Sequence, residues 1–161
     1  MIKLERKIEI ALETGIGAGS VSLLEDGAEL DFLVGKCAVL KSGGILILID
    51  TLLKKNEIQK NEIQKVVVSS GPGSLTGIRI GLAIAKGLKD SLQTEYVEVS
   101  LLDALVSQTK FAVDFQQNVI SAVYVGREEV YYKEFIVESG NKIAVKKNMQ
   151  VMNLRKFAEK M

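Results

Sequence analysis

The chain has 161 residues, 47% of them apolar and 25% charged, so it can bury a core and disorder is excluded. Its 21 basic and 20 acidic side chains leave a net charge of +1, which advertises no overall preference for nucleic acid or a membrane surface. One cysteine builds neither an internal disulfide nor a cysteine cluster for a metal, and the absence of histidine excludes Ser-His-Asp and Cys-His triads and His-ligated zinc, leaving carboxylates as the remaining metal ligands.

Lys7 to Leu12 alternates as a half-buried strand does, and Glu13-Thr14 and a Gly-x-Gly-x-Gly run from Gly15 to Gly19 follow it. Ser20 to Leu24 and Glu29 to Val34 read as two further strands joined at Asp26-Gly27, an antiparallel meander. Cys37, between Lys36 and Ala38, reads as a packed or half-exposed side chain without chemistry. Ser42 to Lys55 changes period. Ser42 is placed to cap a helix whose apolar stripe is Ile45, Leu46, Ile49, Leu52 and Leu53, with Lys54 and Lys55 favourable at its carboxyl end.

Asn56 to Lys60 and Asn61 to Lys65 are the same pentapeptide, N-E-I-Q-K, in tandem. The expectation is a small duplication in a surface loop, since Ile58 and Ile63, five apart, do not align on a helix. Val66 to Val68 then reads as a buried strand, Gly71 to Gly73 as a turn, Ser74 to Leu88 as a helix, Tyr96 to Val99 as a strand and Leu101 to Gln108 as a helix. A meander followed by this alternation predicts an α/β fold, a mixed sheet flanked by helices. Beyond Asn118, Val119 to Val125 and Val130 to Glu138 read as paired strands, Lys142 to Lys146 as a third, and Leu154 to Lys160 as a short closing helix. Residues 1–111 are then a first lobe and 112–161 a short second one, with Tyr131 and Tyr132 on opposite faces of their strand. No stretch reaches the roughly 18 uncharged apolar residues of a membrane span. Met1 to Leu12 lacks the apolar centre of a secretory signal, so a cytoplasmic protein without membrane contact is expected.

The segment from Ser69 to Gly87 holds the only proline and five of the fourteen glycines. Pro72 between two glycines gives a stiff turn straight into a helix. Gly71, Gly73, Ser74, Thr76 and Gly77 would suit a phosphate or carboxylate through backbone N–H groups and hydroxyls, or would form a tight strand-to-helix connection with nothing bound. On the helix, Gly77, Gly81 and Ala85 recur every four residues as a smooth strip that lets another backbone approach. Ile78, Ile80, Leu82, Ile84 and Leu88 spread over the rest, so the helix needs cover on more than one side, and a partner subunit is the expected cover.

This segment resembles the Gly-Pro-Gly-Ser-Phe-Thr-Gly-Leu-Arg-Ile-Gly signature of the TsaB (YeaZ) family, scaffold proteins of tRNA threonylcarbamoyladenosine biosynthesis, with Leu75 for the usual Phe. Ile8 to Leu23 is similar to the family's opening strand, Asp-Thr-Ser turn and second strand, with Glu13 for the Asp. Ile45 to Leu53 fits the helix before the signature, Val99 to Leu105 the Ser-Leu-(Glu or Asp)-Ala-Leu run, and Arg127 to Tyr131 the second-lobe Arg-x-Glu-Val-Tyr hairpin. The chain departs from the family at Lys41-Ser42-Gly43, where His-Ser-Glu is frequent, at Tyr124 to Gly126, which lacks an aspartate, in the extra pentapeptide, and in a second lobe that ends early for the family.

The resemblance implies the RNase H-like fold of the actin-like, sugar-kinase and Hsp70 ATPase superfamily. It also implies a non-catalytic subunit that pairs with a TsaD-like catalytic subunit and a TsaE-like ATPase to place threonylcarbamoyl on the adenosine beside the anticodon, tRNA being reached indirectly. No tightly bound cofactor follows from it, although a nucleotide at the partner interface stays open. The family's catalytic subunit holds its metal partly through a histidine pair, which this sequence lacks. An autonomous actin-like ATPase is the alternative enzyme: Glu13 is the acid of a first phosphate loop, but Ser69-Ser70-Gly71 offers none at the second. The third reading is a homodimeric module built on the same two helices. The expected interface is Ser42–Lys55 with Ser74–Leu88, through Ile45, Ile49, Leu52, Ile78, Gly81, Leu82 and Ala85. Lys142, Lys146, Lys147, Arg155, Lys156 and Lys160 read as a solvated face, with tRNA contact as the alternative.

Overall fold

Alternation in the first strand sorts its side chains by face. In β1 (Ile8–Glu13), Ile8, Ile10 and Leu12 are buried while Glu9, Ala11 and Glu13 are half-buried. β2 (Ser20–Glu25) and β3 (Ala28–Val34) follow as antiparallel partners. The reversal between them works because Asp26 and Gly27 both take left-handed backbone, φ 51° and 80°, as the two-residue turn that matches strand twist requires. The structure, a computed structural model, describes residues 6–35, 43–108, 116–138 and 142–160. The expectations for Cys37 and Ser42 lie outside those residues.

Helix α1 (Gly44–Lys55) starts from Gly43 at φ 68°, with no side chain capping it. Its core stripe is Ile45, Ile49, Leu52 and Leu53; Leu46, expected in the stripe, lies at its edge and is exposed, as is Ile47. The tandem pentapeptide then behaves differently from a surface insertion. In the first copy the Asn56 amide donates to the Leu52 carbonyl at 2.9 Å and to Asp31 at 3.1 Å, Glu57 takes φ 55°, and Ile58 enters the core. Where the copies meet, Lys60–Glu62 forms a 3-10 turn in which the Gln59 N–H donates to the Glu62 carboxylate at 2.7 Å, and Ile63 of the second copy is buried at the start of β4 (Ile63–Ser69). The duplication is no passive loop, because each copy contributes an isoleucine to the core.

β4 runs parallel to β1, and β5 (Glu95–Val99) runs parallel to β4, giving the order β3-β2-β1-β4-β5. Helix α2 (Leu75–Leu92) crosses between β4 and β5 and runs on past the expected end at Leu88 until Gln93 stops it at φ 55°. Both helices share one core with the sheet, α1 against β2 and β3, α2 against β4, β1 and β5. Among the described residues β3 pairs only with β2, and its Leu30, Phe32 and Val34 are exposed. Asp31 beside them pairs with Lys55 at 2.7 Å and accepts the Phe32 N–H at 2.9 Å.

The chain forms two compact units. The first is Met1–Ser70 with Ser74–Val99, and the second is Gly71–Gly73 with Ser100–Met161, so the chain passes finally into the second between Val99 and Ser100, whereas the sequence places the start of its second lobe at residue 112. In the second unit β6 (Gln117–Tyr124), β7 (Glu129–Glu138) and β8 (Lys142–Asn153) form an antiparallel sheet in that order. β8 runs on to Asn153 rather than ending near Lys146. Helix α3 (Leu101–Ser107) packs on β6, and α4 (Leu154–Lys160) packs on β7 and β8. Tyr132 is buried and Tyr131 half-buried, consistent with opposite faces.

Candidate functional site

The turn after β1 and the start of α2 are built as one packed junction. One oxygen of the Glu13 carboxylate accepts the N–H groups of Gly15 and Ile16, the latter at 3.0 Å. Its other oxygen and the hydroxyl of Thr14 are buried and have no hydrogen-bond partner among the described residues. The Gly15 carbonyl accepts the Ser74 N–H at 2.7 Å, and the Ser74 hydroxyl caps α2 by accepting the Gly77 N–H at 3.3 Å. A Cβ on Gly77 would collide with the carbonyl oxygen of Thr14, and one on Gly81 would collide with the Thr14 hydroxyl. The smooth strip of Gly77, Gly81 and Ala85 therefore faces this chain's own turn and core.

Several expected partner-facing residues are corrected on the same ground. Ile45, Ile49, Leu52, Gly81 and Ala85 are buried inside the first unit, so they have no surface to offer. Ile78 and Leu82 are half-buried. Apolar side chains that do face outward on the two helices are Leu46 at 49%, Ile47 at 61% and Leu75 at 62% exposed. Ile47 falls off the expected stripe, whereas Leu46, expected in it, is exposed, so the spacing alone gives the signal for Ile47 only. Reading the stripe as the interface inverted inside and outside.

Of the expected anion loop, Gly71 and Gly73 group with the second unit, where the Gly71 carbonyl accepts the Leu101 N–H at 2.8 Å. Gly77 is buried, while Ser74 and Thr76 are exposed. The backbone donors of Ser74 and Gly77 are already used within the chain, which weakens the case for an anion there. Among the described residues no group of three His, Cys, Asp or Glu side chains is placed to hold a metal. Glu13 alone, tied to two backbone N–H groups, falls short of the ligand set magnesium asks for.

Elsewhere in the first unit, a hydrogen bond from Lys65 at 2.9 Å holds the Glu9 carboxyl below its ordinary range, although burial opposes this. Burial, aided by a 2.6 Å hydrogen bond to Glu98, pushes the Tyr96 phenol up to about 12. Near neutrality the Glu9 carboxyl therefore stays ionised and the Tyr96 phenol protonated.

A family model described as TsaD, tRNA N6-adenosine threonylcarbamoyltransferase, matches residues 42–158. The tRNA threonylcarbamoyladenosine biosynthesis protein TsaB of Haemophilus influenzae is 31% identical over 129 residues, 80% of this chain and 54% of that protein. The TsaB protein of Buchnera aphidicola subsp. Baizongia pistaciae is 28% identical over 155 residues, 96% of this chain and 69% of its own length. YeaZ from Pseudomonas aeruginosa superposes with a TM-score of 0.72 at 25% identity, over 91% of this chain and 68% of that one. The chain belongs to the TsaB (YeaZ) family. Its five-stranded mixed sheet with flanking helices is the RNase H-like fold of the actin-like superfamily, and it spans between about half and two thirds of the length of these relatives. What set this TsaB-family junction apart in the sequence was Thr14, unremarked between Glu13 and the glycines yet the residue on which α2 closes.

Proposed function

We propose that the chain serves threonylcarbamoyladenosine biosynthesis on tRNA as a non-catalytic subunit, pairing with a TsaD-like catalytic subunit that works with a TsaE-like ATPase in the cytoplasm. One observation carries the pairing. Helix α1 leaves Leu46 and Ile47 exposed and helix α2 leaves Leu75 exposed with Ile78 and Leu82 half-buried, apolar side chains that a helical partner would cover. The non-catalytic role is supported by the residue inventory. These 161 residues hold no histidine to match the metal-binding pair that the resemblance implies for the catalytic subunit. Glu13 is engaged by the backbone, which speaks against independent ATP hydrolysis. No helix among the described residues is long and apolar enough to cross a membrane.

Size-exclusion chromatography with and without the TsaD-like protein of the same cell tests this. Co-elution is expected for the native chain and its loss for Leu46→Glu with Ile47→Glu, and for Leu75→Glu, with the circular dichroism unchanged. Co-elution that survives all three substitutions would refute the interface. A chain that elutes at twice its mass alone, and as a monomer once substituted, would favour the homodimer instead.

A further inference from the structure

Residues 142–160 carry six basic side chains and one acid, so the near-neutral total hides a chain whose other residues have four more acids than bases. We propose that the cationic face of the second unit's sheet, carried by β8 and α4, binds the sugar-phosphate backbone of RNA.

The strand register gathers the charges on one face. Lys147 lies opposite Glu134 on β7 and pairs with it at 3.1 Å, and Lys160 of α4 reaches the same carboxylate at 3.3 Å. Lys146, beside Lys147 at an irregularity in the ladder, reaches across to the Asn118 side chain of β6 at 2.9 Å. Lys142 continues this side of the strand opposite Glu138. Helix α4 brings Arg155 and Lys156 and is seated by the Phe157 ring, 5.3 Å from that of Tyr132. The acids near these charges are Glu134, which two lysines neutralise, Glu138, Glu159, Glu128, whose carboxylate accepts the Asn153 amide at 3.2 Å, and Glu129, opposite Asn153. Lys142, Lys146, Arg155 and Lys156 form no ion pair among the described residues. In the first unit Arg6, Lys7, Lys54, Lys55, Lys60 and Lys65 each pair with a carboxylate, and Arg79 and Lys86 on α2 do not among the described residues.

Unpaired cations along an extended strand match a polyanion in charge and shape, because Lys142 to Lys147 covers about 16 Å of strand. A bilayer is a poorer match. Of the exposed apolar residues of β8, Ile143, Val145 and Val151 lie opposite Val137, Phe135 and Tyr131, on the other face of the sheet from Lys142 and Lys147, which leaves Met149 and, on α4, Leu154 as scattered apolar groups rather than a continuous face for lipid. The charge pattern asks for a phosphate backbone, and the choice of RNA rests on the tRNA reading above.

The test uses the whole chain and a fluorescein-labelled RNA hairpin in anisotropy titrations between about 50 and 200 mM salt. The variant Lys142→Gln, Lys146→Gln, Arg155→Gln, Lys156→Gln keeps Lys147 and Lys160, which hold Glu134. Native binding is expected to weaken steeply with salt, at about 0.7 to 0.9 of log–log slope per phosphate contacted. The variant is expected to bind at least about tenfold more weakly with a shallower slope. Unchanged affinity in the variant would overturn the assignment, as would equal binding to poly-glutamate or capture by phosphatidylserine vesicles. Failure here is separable from failure of the subunit reading, since the four substitutions belong to the second unit and α1 and α2 to the first, and co-elution of the variant with the TsaD-like protein is expected to persist.

Discussion

Gly77 and Gly81 differ in what a methyl group would strike. At Gly77 it meets the carbonyl oxygen of Thr14, which no side-chain change removes, and at Gly81 it meets the Thr14 side chain. Gly77→Ala should therefore destabilise the chain by about 1 to 3 kcal/mol despite the helix propensity that alanine gains, and Thr14→Ala should not rescue it. Gly81→Ala should be destabilising alone but largely rescued by Thr14→Ala, a coupling of at least about 0.5 kcal/mol in a double-mutant cycle read by urea unfolding. Equal rescue at both positions would mean that Thr14 is not the residue on which α2 closes. The Thr14 hydroxyl is buried without a partner among the described residues, so its removal should cost packing rather than a hydrogen bond to any of them.

At the scale of elements, the tandem pentapeptide sets identical side chains in two conformations. Ile58 follows a helix cap and Ile63 opens a strand, yet both are buried. Ile58→Ala and Ile63→Ala should each cost about 2 to 5 kcal/mol in urea unfolding, where a loop insertion would lose almost nothing at either site. This pair also marks the limit of what periodicity reveals. The meander, the parallel strands and α2 were legible because alternation and the four-residue repeat of small residues are local patterns. The burial of Ile58 was not, since it depends on the chain turning at Glu57 with a positive φ, which no apolar spacing announces. β8 was read short for a related reason. Lys146-Lys147 sits at a ladder irregularity, and the break in alternation hides the strand beyond it. In the candidate site, small residues on α2 announced close packing correctly, but spacing carries no information on whether the neighbour is another chain or Thr14.

Over the whole molecule, a net charge of +1 is the sum of two unlike stretches, and the distribution governs behaviour more than the total. The native chain should be held by a cation exchanger near neutral pH at low salt, unlike a protein with the same charge evenly spread. The four-glutamine variant of β8 and α4 should pass through. Elution of both at the same salt would show that the basic side chains do not act together.

The outer strand of the first sheet bears on handling. Leu30, Phe32 and Val34 stand in the open along β3, the kind of margin that invites a stranger's strand and starts a precipitate. Asp31 works as a stopper: it draws the Phe32 N–H to itself and is kept ionised by Lys55, so one rung of the exposed ladder is filled before any visitor arrives. Loss of that single carboxylate would leave the fold standing and shorten how long a concentrated solution stays clear.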